Sequence, residues 1–174
     1  GIGEVTVVGT DSRWDSTSDL FVGNWGSGTL NIEAGGVVTS ANGRIGFAGG
    51  STGVVTVKDL DSKWTNSGSL HVGGQNYADG TLNIAAGGVV TNTEGRIGSE
   101  VGSVGEITVS GPGAKWTNSE KLHVGHSGSG TLHIAAGGIV SNTWGQLGYE
   151  AGSSGVVTVA GSGSWWKNAN GLTL

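Results

Sequence analysis

The sequence has no cysteine, no methionine and a single proline, Pro112. Without thiols there is no disulfide framework and no thiolate zinc or iron–sulfur site. Only 8 of 174 residues are Lys or Arg, scattered singly in a chain of net charge −5. That pattern lacks the clustered positive footprint of a nucleic-acid partner. No apolar run approaches the roughly 20 residues of a transmembrane helix. No glycine-free stretch of about a dozen residues shows a 3.6-residue period, so helix is not expected either. What the chain does have is 37 glycines. They do not recur every third residue, which excludes collagen. Val, Leu, Ile and Phe together supply 40 residues, enough to argue against disorder. The class left standing is all-β and punctuated by glycine, of a length suited to one domain.

Internal repeats are the main signal. Gly3-Glu4-Val5-Thr6-Val7 returns at Gly53, Gly105 and Gly155, at spacings of 50, 52 and 50. Trp14, Trp64, Trp116 and Trp166 each follow eleven residues after the leading glycine. Each repeat divides again, because Gly28-Thr29-Leu30-Asn31-Ile32 and its relatives at Gly80 and Gly130 share the pattern. The unit is therefore a rung of about 25 residues in alternating A and B versions. Rungs begin at Gly3, Gly28, Gly53, Gly80, Gly105, Gly130 and Gly155. The two extra residues of the second repeat fall within Gly74–Asp79, as a loop insertion. Three short strand candidates per rung predict a three-sided parallel β-helix of about seven rungs, roughly 34 Å long. Residues 1–174 are expected to form one β-helix segment, with repeats at 3–52, 53–104 and 105–154 and a partial repeat at 155–174.

Period-two alternation assigns the faces. The column Val5, Leu30, Val55, Leu82, Ile107, Leu132, Val157 and the column starting at Val7 point inward. Thr6, Asn31, Thr56, Asn83, Thr108, His133 and Thr158 point outward between them. The four recurring tryptophans alternate with Val38, Val90 and Val140, as large and small residues do in a filled interior. The pairs Gly35-Gly36, Gly87-Gly88 and Gly137-Gly138 are expected at tight corners with positive φ. Trp25, Trp144 and Trp165 do not repeat and are expected in turns, partly exposed. Trp25, Tyr77, Trp144 and Tyr149 are the candidate ligand contacts, because exposed aromatics stack on sugars or protein partners.

Catalytic constellations are sparse. Glu4 and Glu106 share a column but Val54 stands between them, two rungs from each. Asp59-Leu60-Asp61, beside Lys58 and Lys63, reads as a charge-balanced turn. His71 and His123 are repeat equivalents about 9.6 Å apart, too far for one metal. His123 and His126 lie three residues apart but lack further ligands nearby, so neither metal nor cofactor is expected. The Thr/Asn column makes an ice-binding solenoid a minor alternative, although its neighbour (Glu4, Thr29, Val54, Thr81, Glu106, Thr131, Val156) is mixed in charge and polarity, which spoils a flat lattice.

Gly105-Glu106-Ile107-Thr108-Val109-Ser110-Gly111, Lys115-Trp116-Thr117-Asn118, Leu122-His123-Val124-Gly125, Gly130-Thr131-Leu132-His133-Ile134, Gly137-Gly138 and Leu147-Gly148 together form a pattern. It resembles the passenger repeats of bacterial autotransporters and related large surface adhesins, over essentially the whole chain. The resemblance implies a right-handed parallel β-helix, exported to the Gram-negative surface. It implies a non-enzymatic adhesin or stalk segment that binds a glycan or an extracellular protein, or acts as a spacer. The chain begins without Met and ends at Leu174 in mid-pattern, so a segment of a longer stalk is expected, with end-to-end stacking at its open strand edges. The alternatives are a carbohydrate-active β-helix of the lyase or tailspike kind, and a filament subunit.

Overall fold

The computed structural model describes residues 1–174 and is all-β, with no helix. Nineteen strands alternate around a tube, each pairing in parallel with its equivalent one rung away. The first stack is a seven-stranded sheet: β1 (Ile2–Val8), β4 (Ser27–Glu33), β7 (Thr52–Val57), β10 (Asp79–Ile84), β13 (Val104–Ser110), β16 (Ser129–Ala135) and β18 (Ser154–Ala160). The second stack holds β2 (Arg13–Asp15), β5 (Val37–Ser40), β8 (Lys63–Asn66), β11 (Val89–Asn92) and β14 (Lys115–Asn118). The third holds β3 (Leu20–Val22), β6 (Gly43–Ile45), β9 (Leu70–Val72), β12 (Gly95–Ile97) and β15 (Lys121–Val124). In the last two rungs one long strand rounds the corner between the second and third stacks: β17 (Ile139–Leu147), then β19 (Trp165–Thr173). The seven turns of about 25 residues are those of a β-solenoid.

The registers keep the expected columns in line. Val5, Leu30, Val55, Leu82, Ile107, Leu132 and Val157 stack in sequence, as do the Val7 column and the outward Thr6 column. The middle rungs are dry inside, with Leu30, Val55, Leu82, Ile107 and Leu132 at most 1% exposed. The end rungs are not, because they have one neighbour instead of two; Val5 is 42% and Val159 47% exposed. At the glycine pairs only the first member, Gly35, Gly87 or Gly137, has positive φ. The second, Gly36, Gly88 or Gly138, is required for another reason: a Cβ there would strike the carbonyl of Val7, Val57 or Val109.

The recurring tryptophans stack over valines as expected: Trp14, Val38, Trp64, Val90, Trp116, Val140, Trp166. Trp64 and Trp116 are fully buried. Their companion column in the third stack runs Leu20, Gly43, Leu70, Gly95, Leu122, Gly145, Leu172. The indoles of Trp64, Trp116 and Trp166 each lean over the glycine of the B rung before them. A Cβ on Gly43 would stand 2.6 Å from Trp64 Cζ2, and one on Gly95 2.7 Å from Trp116 Cζ2. The A rung thus fills the volume that the B rung leaves empty.

The same pair of rungs is joined by polar bonds inside the tube. Trp64 Nε1–H donates to Ser40 Oγ at 3.2 Å, and Trp116 Nε1–H to Asn92 Oδ1 at 2.7 Å. Asn92 Nδ2 in turn donates to Asn118 Oδ1 at 2.6 Å, and Asn142 Nδ2 to Asn168 Oδ1 at 2.6 Å. Inside the tube the asparagine ladder does not continue from an A rung to the next B rung: Nδ2 of Asn66 and of Asn118 are buried without a partner. For these internal polar bonds the coupled unit is therefore a B rung and the A rung that follows it.

Candidate functional site

The outward surface of the third stack differs from the other two in chemistry. Its register column reads Phe21, Arg44, His71, Arg96, His123, Gln146, Thr173. Each strand then ends in a glycine of positive φ: Gly23, Gly46, Gly73, Gly98, Gly125 or Gly148. At Gly46 a Cβ would collide with the backbone of Asp79, so the turn admits only glycine. That turn brings the next residue back beside the strand, and Phe47, His126 and Tyr149 occupy this position. Both phenylalanines, three of the four histidines and two of the three arginines of the chain meet on this one face.

At one end Phe21 and Phe47 pack edge to face, with ring centroids 5.2 Å apart. The Arg44 guanidinium lies 4.8 Å from the Phe47 centroid and donates from Nε to Asp19 at 2.9 Å. Asn42 Nδ2 also donates to Asp19, at 2.7 Å. These two bonds, Asn42 first and Arg44 second, hold the Asp19 carboxyl below its usual range. Farther along, Arg96 Nε donates to Glu94 Oε1 at 2.8 Å, and His123 Nε2 lies 3.3 Å from the same oxygen. Burial pushes the Glu94 pKa up, but the bond and charge of Arg96 outweigh it and the net direction is down.

His123, His126 and Tyr149 form a ring cluster, with centroids 5.0, 5.0 and 5.1 Å apart. His123 is buried and its Nδ1 has no partner, whereas Tyr149 is 49% exposed at the rim. His126 Nδ1 lies 3.2 Å from the Ser99 carbonyl oxygen, which suits the tautomer that donates there. Burial, reinforced by neighbouring cationic groups, lowers both His71 and His123 to about 4, so both are neutral at pH 7. The arginines are matched by Asp19 and Glu94. The face is therefore rich in rings and directed donors but balanced in charge.

The four aromatics expected from the sequence fall as follows. Trp25, Tyr77 and Tyr149 occupy loops at one edge of the third face, between the third stack and the first strand of the next rung. Trp25 is 82% and Tyr77 75% exposed. Tyr77 sits in the Gly74–Asp79 loop that carries the two extra residues, with φ 63°. Trp144 lies at the opposite edge, within strand β17 and not in a turn, paired with Lys121 and with Gly171. It is in a strand because the last two rungs round that corner without breaking their ladder. Trp165, also expected in a turn, opens β19 on the second face. Only Tyr149 joins the ring cluster. Phe21, Phe47, Arg44 and Arg96 were not singled out from the sequence. Their signal was the variable residue between Leu or Gly and Val or Ile in each third strand, and the residue after the following glycine. Asp59 acts differently from a charge-balanced turn: its Oδ2 accepts from Ala34 N–H at 3.2 Å, while Lys58 pairs with Glu33.

One relative is the Adhesin BmaC autotransporter of Brucella suis biovar 1 (strain 1330), 29% identical over 132 residues, which is 71% of this chain and 4% of the relative. The repeats are similar to those of an autotransporter adhesin. A second relative is the Uncharacterized lipoprotein YdeK of Escherichia coli (strain K12), 35% identical over 100 residues, or 57% of this chain and 7% of the relative. The chain thus spans a small fraction of the length of the curated relatives it matches. No protein-family model matches the chain, and no solved structure matches it. No helix is long and apolar enough to cross a membrane.

Proposed function

We infer that this chain is a non-enzymatic, adhesin-like segment of a bacterial surface protein, and that its third face is the contact surface for a glycan. One observation carries the reading: a chain with 6% aromatic residues gathers both phenylalanines, three histidines and Tyr149 on one side of the tube. Flat rings offer stacking area to pyranoses, and the Arg44–Asp19 and Arg96–Glu94 pairs offer directed donors and acceptors to hydroxyls. Trp25, Tyr77, Trp144 and Tyr149 border this face and are proposed as further contacts. The autotransporter adhesin and the lipoprotein among the relatives support a place at the Gram-negative cell surface.

A carbohydrate-active β-helix is the competing reading, and the acids speak against it. Asp19 and Glu94 are three rungs apart, about 14 Å. Both are held in the charged form beside an arginine, so neither is poised as a general acid. The test is a glycan and extracellular-matrix binding panel on the purified segment, with product release read in the same wells. Saturable binding without product, lost on Phe21→Ala or Tyr149→Ala, is the expected result. Product release overturns the non-enzymatic reading. Binding that survives both substitutions overturns the third face as the contact surface.

A further inference from the structure

The second face carries a row of cations that the third-face reading does not use. Its outward column alternates by rung: Arg13, Val37, Lys63, Val89, Lys115, Ile139. Each cation immediately precedes a tryptophan of the Trp column, so its backbone is pinned by the packing that defines the A rung. In the seventh rung Trp165 takes the column, and Lys167 places its Nζ 3.8 Å over that ring, which keeps a cation in this A rung too. Since A rungs are two strand spacings apart, the cations recur about every 9.6 Å.

Beside this row runs a ladder of hydroxyls. Thr91 Oγ1 donates to Thr65 Oγ1 at 3.4 Å, and Ser141 Oγ to Thr117 Oγ1 at 3.3 Å. Lys63 and Lys115 are exposed and take part in no salt bridge, whereas Arg13 is held by Asp15 at 2.6 Å. Asp61 stands two residues before Lys63, whereas Gly113 and Ala114 precede Lys115. In a chain of net charge −5, the row is regular, and Lys63 and Lys115 are its uncommitted members.

We propose that the second face binds a linear acidic polysaccharide with one anionic group per disaccharide, laid along the tube axis. The two-rung step is comparable to an extended disaccharide, so successive anions meet successive cations. The aliphatic residues between them face the uncharged sugar of each pair, and the hydroxyl ladder faces its ring hydroxyls. A polymer charged on every sugar would set half of its anions against Val37, Val89 and Ile139. Exposed charge pairs contribute little singly, so the affinity comes from several contacts on one polymer.

The test is binding of hyaluronan, which has one carboxylate per disaccharide, to the immobilised segment, beside polygalacturonate, duplex DNA and uncharged dextran. Hyaluronan is expected to bind in preference to the other three and to weaken as salt rises from about 0.05 M to about 0.5 M. Lys63→Gln and Lys115→Gln are expected to weaken it about two- to fivefold each. Lys58→Gln removes the same charge from a residue paired with Glu33 and is expected to leave binding unchanged. No hyaluronan binding at low salt overturns the proposal. So does equal or tighter binding of polygalacturonate or DNA, or an equal loss with Lys58→Gln. Phe21→Ala and Tyr149→Ala are expected to spare hyaluronan binding; if they abolish it, the site is on the third face and this proposal falls while that reading stands.

Discussion

At the residue scale, the histidines of the third face couple stability to pH. His71 and His123 each fall from 6.5 to about 4 on folding, chiefly through burial. Between those values the unfolded chain binds more protons than the folded one, so stability rises with pH across the window. The contribution is complete above about pH 6.5 and is lost as pH falls toward 4. The melting temperature is expected to drop by about 5–10 °C from pH 7 to pH 4 in the native chain. His123→Gln, which cannot titrate, should flatten part of that slope in a pH series of melting curves; an unchanged slope would show that His123 is not buried neutral. Tyr77 is the other instructive residue. Its φ of 63° is costly for an aromatic side chain, and it is 75% exposed. Tyr77→Gly is expected to stabilise by about 1 kcal/mol in denaturant unfolding, even if it removes a ligand contact.

At the scale of the strands, large and small residues complement each other between neighbouring rungs. The glycine at the start of β6 and β12 exists to receive the indole of the next rung. Gly95→Ala would place a Cβ 2.5 Å from Asn118 Oδ1 and 2.7 Å from Trp116 Cζ2, so a loss of about 1–3 kcal/mol is expected by chemical denaturation. Gly50→Ala is no fair control, because its φ is positive. Gly3, which has nothing within 4 Å and ordinary φ, should accept alanine at little cost. The internal asparagine ladder is the second device at this scale. Asn92→Ala would strand both the Trp116 indole N–H and Asn118 Oδ1 away from water. A loss of about 2–4 kcal/mol is expected, larger than the cavity alone would cause, and Asn92→Ser should recover part of it.

For the whole molecule, the consequence is that the 25-residue period of the backbone is not the period of the packing. Removing residues 53–104 keeps the A and B order intact and is expected to leave a shorter, cooperatively unfolding tube. Removing residues 80–104 alone would set Trp64 directly against Trp116, with Leu70 against Leu122 where a glycine is needed. That shorter deletion is expected to cost about 3 kcal/mol or more and to broaden the thermal transition, although it removes fewer residues. The tube ends expose Val5 and Val159, so the segment expressed alone should self-associate end to end, seen as a sedimentation coefficient that rises with concentration.

The sequence by itself determined the solenoid, its rung length and its inward columns, though not the long strands β17 and β19 that carry Trp144 and Trp165. The rung length and the columns follow from period-two alternation and fixed repeat spacing, which survive in any linear listing of the chain. Even the alternation of tryptophan and valine is visible there. Tertiary structure decided which outward residues of the third stack meet as one surface. Phe21, Arg44, His71, Arg96 and His123 are 23 to 27 residues apart in the chain but one strand spacing apart in the tube. Each looks like an unremarkable variable position until the register sets it beside the next. Arg13, Lys63 and Lys115 likewise share one column, two rungs apart, and the Asn92–Asn118 bond joins neighbouring rungs. In a parallel stack, side-chain chemistry is assembled across rungs, from outward residues that the repeat pattern leaves variable.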